Sequence, residues 1–304
     1  MLVGCIDIGT NSVRYLSAEI LPGRKISIRE RGLAAPRLGK NLDRAGRLDD
    51  NAIDRTVSEL IRIKEKLDND GVTSFRCVGT EALRTAANAE YFISRLSSAT
   101  GLDVEIISGE DEARLIRDGV RADFDLQDKQ AVIADIGGGS TEIIRGGDED
   151  RTGLTSLPLG SVRLGALFFP EGTAQTYSTG EALKYCRTQL ISRLGPSSRV
   201  KSRLIGLGGT FTTLAAIKLE LEPYRGDIVH GTVLSAAEIE TIYRRLSAMT
   251  LPQRGSIPGL PPDRADIIIP GIIIARSLLD FFQTDRITVS DRGLLYGLLF
   301  SFGK

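Results

Sequence analysis

Hydrophobic positions in this chain follow two alternating periods, and the order of the strand-like and helix-like runs is itself repeated. Leu2–Gly9 and Val13–Ile20 are apolar, β-branched runs around a short Gly/Asn/Ser turn, which predicts a β-hairpin. Lys25–Ala34 reads as a third strand. Ile53, Val57, Leu60, Ile61, Ile63 and Leu67 then recur at helical spacing behind an acidic start, predicting a helix over Asp49–Leu67. Phe75–Gly79 and Val104–Ser108 read as strands, Asn88–Ser98 and Glu110–Val120 as helices. The pattern restarts with Gln130–Gly137 and Thr141–Gly146, a second strand–turn–strand, and Gly153–Gly160 is its third strand. Helices are predicted over Ser161–Phe169, Gly180–Leu194 and Ala236–Ala248. The strand Leu204–Gly208 runs into a glycine turn and a helix over Phe211–Leu221. Asp263–Phe282, Ile287–Ser290 and Arg292–Phe300 read as helix, strand and helix.

The restart carries an echo in the residues themselves. Asp7-Ile8-Gly9-Thr10-Asn11-Ser12 and Asp135-Ile136-Gly137-Gly138-Gly139-Ser140 both read Asp-Ile-Gly-x-x-Ser. The offset is too long for a solenoid repeat and matches the repeated element order. This predicts two similar α/β lobes, residues 1–125 and 126–304, with facing hairpins and a ligand cleft between them. The last helix, about 291–304, is expected to pack back on the first lobe.

Composition narrows the chemistry. Of the 304 residues, 39 are basic and 39 acidic, so no global field points to nucleic acid or a membrane surface. The 3 cysteines, Cys5, Cys77 and Cys186, are far apart and lack a C-x-x-C pair, which argues against a disulfide framework or zinc cluster and for a reducing, cytoplasmic setting. Cys5 and Cys77 read as core residues. The apolar segment Ile267–Ile274 is short, contains Pro270 and Gly271, and reads as a buried helix rather than a membrane span. With His230 as the only histidine, a two-His metal site cannot be built and acid–base work falls to carboxylates.

Tight turns of glycine and small hydroxyl residues converge backbone N–H groups on one point and so bind phosphate. Gly137, Gly138, Gly139, Ser140 and Thr141 form one such turn, and Thr10, Asn11 and Ser12 with Gly9 form another. Gly208, Gly209 and Thr210 form a third. Asp7 and Asp135, at the ends of first strands, would repel a phosphate unless they hold Mg²⁺ directly or through water. Glu142 is a further metal or water ligand if it faces the cleft, which strand alternation leaves open. Arg84, in GTEALR, can grip a phosphate with two parallel hydrogen bonds or can be a surface helix arginine. The acids of SGEDEARL suit a helix N-terminus, and composition alone leaves Glu112 unremarkable.

The motifs CIDIGTNSVR, GTEALR, IISGEDEARL, DIGGGSTE, GLGGT, VHG, DRADIIIPG and VSDRGL occur in this order. Together they resemble the exopolyphosphatase / guanosine pentaphosphate phosphohydrolase family, of the actin/hexokinase/heat-shock-70 superfamily, from about Leu2 to about Leu298. The resemblance implies two duplicated ribonuclease-H-like lobes and Mg²⁺-assisted (or Mn²⁺-assisted) hydrolysis. Its substrates would be the terminal phosphate of inorganic polyphosphate or the 5′ phosphate of guanosine pentaphosphate, with guanosine tetraphosphate as inhibitor. It assigns Glu112 as general base, Arg84 as the phosphate grip, and Asp135 and Glu142 to the metal or water. It places Gly208, Gly209 and Thr210 by the nucleotide or its phosphates, and it implies a homodimer and a stringent-response setting. No C-terminal HD-type helical domain is read after the second lobe, so short polyphosphate chains are the expected substrate. Lys40, Arg44, Arg47 and Arg163 are candidates for a basic path, and His230 reads as a packed histidine. A kinase with the same lobes and a non-catalytic nucleotide sensor or assembly module are the competing readings; SGEDEARL argues against the first, and Glu112, Arg84 and both aspartates against the second.

Overall fold

A computed structural model describes residues 1–21, 26–128, 130–146, 153–169 and 176–302; of the predicted third strand, Lys25 lies outside the described residues. Contacts divide the chain into two compact units, Met1–Gly119 with Leu294–Lys304, and Val120–Gly293.

The first unit is built on strands β1 (Leu2–Ile8), β2 (Val13–Ile20), β3 (Ile26–Ala34), β4 (Ser74–Gly79) and β5 (Val104–Ile106). They lie in the order β3-β2-β1-β4-β5, antiparallel through the first three and parallel from β1 to β5. The second unit holds β6 (Ala131–Ile136), β7 (Thr141–Arg145), β8 (Leu154–Leu157), β9 (Arg203–Leu207), β10 (Val233–Ser235) and β11 (Arg286–Val289). Its order is β10-β11-β9-β6-β7-β8. Without the antiparallel edge strand β10 this is the first sheet again, element for element and direction for direction. The duplication expected from the echo is therefore a duplication of topology.

β1 and β6 are the central strands, and both are buried along almost their whole length, which is why each reads as an unbroken apolar run. In the first unit the helices Asp50–Asn69 and Ala89–Thr100 supply Leu60, Leu67, Phe92 and Leu96 to a core shared with Ile6, Ile8 and Val13. The longer helix starts where Asp49 accepts the Ala52 N–H (3.1 Å). In the second unit the helix Ile268–Phe281 is buried on nearly every side, which accounts for its all-round hydrophobicity. Among the described residues no helix is long and apolar enough to cross a membrane.

Several predicted boundaries move for local reasons. The helix expected over Asp263–Phe282 begins at Ile268, because Pro261 and Pro262 set up a separate 3₁₀ turn over Pro262–Arg264. The helix expected from Phe211 begins at Gly208, so the GLGGT turn is its first turn. The strand β10 and the short helix Glu81–Thr85 carry too few residues to show a period. All three cysteines are buried; burial pushes the Cys5 and Cys186 thiols up to about 12 and the Cys77 thiol higher in the same direction.

The helix Leu294–Ser301 belongs to the first unit, and a β-carbon on Gly297 would fall on the Leu115 carbonyl. Backbone cannot yield as a side chain does. Gly297→Val is expected to lower stability by about 1–3 kcal/mol in urea unfolding; an unchanged midpoint would show that this contact is not tight.

Candidate active site

The two glycine turns share one construction. In the first unit the Gly9 N–H donates to the Ser12 carbonyl (3.0 Å), and in the second the Gly137 N–H donates to Ser140 (2.9 Å). Each turn is then held from behind. The Gly39 N–H donates to the Thr10 carbonyl (2.8 Å) and the Arg37 N–H to the Asn11 carbonyl (3.0 Å). In the second unit the Ser161 N–H takes the Gly137 carbonyl (3.0 Å), while the Val162 and Arg163 N–H groups take that of Gly138 (2.8 and 3.1 Å). The Arg163 guanidinium takes the Gly139 carbonyl through Nη1 (2.9 Å).

A trans peptide points its N–H opposite its carbonyl. Tying these carbonyls back therefore turns the N–H groups of Asn11 and Ser12, and of Gly138, Gly139 and Ser140, the other way. Among the described residues those N–H groups donate to nothing, nor do the hydroxyls of Thr10, Ser12 and Ser140 make a hydrogen bond. Both turns thus have the form of the backbone nests that can receive an anion. The clamps are matched too: buried Leu38 and Leu159 each precede a glycine pressed on the turn. A β-carbon on Gly39 would fall on the Thr10 side chain, and one on Gly160 on the Gly138 carbonyl. Sequence reasoning missed both clamps, although Leu38-Gly39 and Leu159-Gly160 are a second internal echo.

The aspartates differ in their partners. Asp7 lies directly across β1–β2 from Arg14, which donates to its Oδ2 through Nε (2.9 Å) and Nη2 (2.6 Å). Asp7 is thus not the bare carboxylate the sequence implied, yet its Oδ1 is buried without a hydrogen-bond partner among the described residues. Asp135 lies directly across β6–β7 from Glu142. Directly opposed residues share a sheet face, so these two buried carboxylates are neighbours. Glu142 therefore shares the sheet face of Asp135. Its Oε1 accepts the Ser156 hydroxyl (2.9 Å). Thr141 serves the support instead, donating to the Leu159 carbonyl (2.5 Å).

Asp135 also borders the third glycine turn. Gly208 has φ +84, and a β-carbon there would fall on Asp135 Oδ1 and the Ile136 carbonyl. The Arg264 guanidinium lies over Gly209, a cation the sequence reading passed over within DRADIIIPG. Thr210 is buried against Gly271.

Arg84 and Glu112 come together in the first unit. Arg84 Nη1 donates to Glu112 Oε2 (2.8 Å) and to the Ile107 carbonyl (2.9 Å), and Nη2 donates to Glu81 Oε2 (3.1 Å). Arg84 is therefore not a surface arginine; its side chain is 17% exposed. Of the three acids opening the helix Gly109–Val120, Glu112 alone is buried, while Asp111 pairs with Arg114 (2.8 Å).

Other candidates sit elsewhere. His230 packs edge-on against Phe124, and its Nδ1 accepts the Asp291 N–H (3.3 Å). Burial and then Arg292 hold its pKa below the ordinary histidine value against Asp123 and Asp291, so it is a packed, neutral histidine. Lys40 lines a cavity of about 350 Å³ with Asn41, Asp49 and Arg55. Arg163 is committed to the turn. Among the described residues no three His, Cys, Asp or Glu side chains cluster as a metal cage. Magnesium does not need one, since it takes one or two carboxylates and completes its shell with water and phosphate oxygens. Within the second unit the opposed Asp135–Glu142 pair fits that donor set, and in the first unit the unpartnered Asp7 oxygen is a single candidate donor.

The model of the Ppx/GppA phosphatase family matches residues 23–303. The chain is 32% identical over 305 residues to a bifunctional 3-dehydroquinate synthase/phosphatase of Fusobacterium nucleatum, covering 97% of this chain but only 45% of that longer protein. It is 31% identical over 313 residues to exopolyphosphatase 2 of Mycobacterium tuberculosis, covering 98% of both. The crystal structure of an exopolyphosphatase from Cytophaga hutchinsonii superposes with a TM-score of 0.90 at 29% identity, covering 99% of this chain and 97% of that one. Fold, motifs and relatives agree, and the chain belongs to the Ppx/GppA phosphatase family, an enzyme with that family's two-unit, actin-like α/β architecture.

Proposed function

We propose that this phosphatase hydrolyses the terminal phosphoanhydride of short inorganic polyphosphates, the 5′ phosphate of guanosine pentaphosphate, or both. The observation that carries the proposal is the pair of nests with unspent N–H groups, one in each unit, each beside a buried aspartate. Phosphate chains offer acceptor oxygens and no donors, which is the complement of such turns.

In this reading Glu112 takes a proton from water. The water oxygen forms a bond to the terminal phosphorus, the bridging P–O bond breaks, and the shortened chain leaves with the electron pair. Arg84 is stored between Glu81 and Glu112 in the free enzyme. On substrate binding it turns part of its fork to the phosphate oxygens and leaves Glu112 able to accept the proton. Asn11, Ser12, Gly138, Gly139 and Ser140 hold non-bridging oxygens. Asp135 and Glu142 would hold magnesium, which when bound supplies charge neutralisation at the phosphate oxygens; Asp7, through Oδ1, is a separate ligand candidate within its own unit. The 5′ phosphate of guanosine pentaphosphate presents the same terminal anhydride, so the same residues serve it.

Three outcomes are expected. Phosphate is released from polyphosphates of several lengths or from guanosine pentaphosphate in the presence of magnesium; no release from any of them, or transfer to an acceptor without net hydrolysis, sinks the proposal. Glu112→Gln lowers kcat by about 10²–10⁴-fold with little change in KM, and an unchanged kcat removes Glu112 as the base. Gly160→Ala pushes a methyl into the Gly138 carbonyl and raises KM for polyphosphate while circular dichroism stays native; a normal KM would mean that the nest does not hold substrate.

A further inference from the structure

The two glycine turns are held from behind by different means. In the first unit the Thr10 and Asn11 carbonyls are both taken by backbone N–H groups, those of Gly39 and Arg37. In the second unit Ser161, Val162 and Arg163 give backbone N–H groups to the Gly137 and Gly138 carbonyls. The Gly139 carbonyl, among the described residues, is met by a side chain alone, Arg163 Nη1 (2.9 Å). The orientation of the Gly139–Ser140 peptide is therefore tied to the identity of one residue that lies outside the turn.

That residue stands where its own helix does not favour it. Arg163 is the third residue of the helix Ser161–Phe168, whose first turn holds no acid. Partial positive charge gathers at a helix N-terminus, so acids are the usual occupants and a cation is disfavoured. A local rule broken without a local gain points to a gain elsewhere. Here the half-buried guanidinium reaches back to the turn, beside Gly160, where a β-carbon would fall on the Gly138 carbonyl and the Gly139 carbonyl carbon.

The consequence lies on the other side of the peptide. Glycine leaves its side of the Gly139–Ser140 peptide without a β-carbon to fix it. Turned over, this peptide would present its carbonyl oxygen where the Ser140 N–H now points, and an oxygen there repels phosphate. A charge-assisted hydrogen bond to the carbonyl opposes that rotation. The same bond polarises the peptide and makes the Ser140 N–H a stronger donor, because hydrogen bonds in a chain strengthen one another.

We infer that Arg163 is a positioning residue, which sets the hold on substrate phosphate through the Gly139–Ser140 peptide rather than by touching the substrate. The inference rests on the proposed binding of phosphate at this turn. It assigns the arginine to neither a basic path nor the chemical step.

Steady-state kinetics of the full chain on tripolyphosphate and on longer polyphosphates, with magnesium, test the inference. Arg163→Met should raise KM by about tenfold at every chain length and leave kcat within about threefold, because a contact weakened equally in the bound substrate and the transition state appears in KM. Arg163→Lys, which keeps a charged donor, should recover most of the loss. Arg163→Gln, neutral and shorter, takes the place of the methionine variant if that variant fails to fold by circular dichroism. An unchanged KM in the neutral variant overturns the inference. A penalty that grows with chain length or vanishes at high salt also overturns it, since Arg163 would then be a direct phosphate contact. So does a loss that lysine leaves unrecovered, which is the behaviour of a packing residue. A parent that releases no phosphate removes the proposed activity instead; calorimetric binding of imidodiphosphate to the same variants then decides the role of Arg163, with a tenfold weakening in its favour and unchanged or absent binding against it.

Discussion

The site depends on backbone carbonyls being held from behind. A glycine-rich turn is free to point its peptides either way, and freedom of that kind costs entropy whenever a ligand must be met. Here the carbonyls of both turns are already spoken for, by Arg37 and Gly39 in one unit and by Ser161, Val162 and Arg163 in the other. Peptide planarity does the rest and leaves the N–H groups pointing the other way. One consequence is that the N-terminus of the helix Ser161–Phe168 is spent on protein carbonyls. In this unit the N–H groups left over are those of the turn, and the helix is its brace.

Duplication supplied the same scaffold twice, and the copies diverged at one cross-strand position. Opposite the aspartate stands Arg14 in the first unit and Glu142 in the second. An arginine there neutralises Asp7 and leaves a single oxygen over. A glutamate there sets two buried carboxylates side by side, an arrangement that costs stability unless positive charge or a proton accompanies it. The two halves are thus alike in how their turns are held and unlike in the charge beside them.

Arg84 is a largely buried charged side chain whose burial is matched by its partners. It sits between Glu81 and Glu112 with a backbone carbonyl at its base. Breaking a buried pair by removing one partner is strongly destabilising, because it strands the other charge. Exchanging one anion for another is far less costly, and a guanidinium fork suits either carboxylate or phosphate.

The chain's own residues made much of this legible. The repeated order of strand and helix periods and the Asp-Ile-Gly-x-x-Ser echo specify two related α/β units, because period and turn chemistry are local properties. Burial of Cys5, Cys77 and most of the Ile267–Ile274 segment follows from local sequence in the same way. Proximity across long stretches of chain does not. That Gly160 braces Gly138, that Arg14 neutralises Asp7, that Arg264 covers Gly209, and that Glu112 alone of three adjacent acids is buried against Arg84 all depend on strand register and helix packing. A one-residue change of register would send each of those strand side chains to the opposite face. By itself the sequence determined the two scaffolds and the chemistry that each turn can perform; only the tertiary structure decided which carboxylate keeps a partner, because pairing is set by distances that no local pattern encodes.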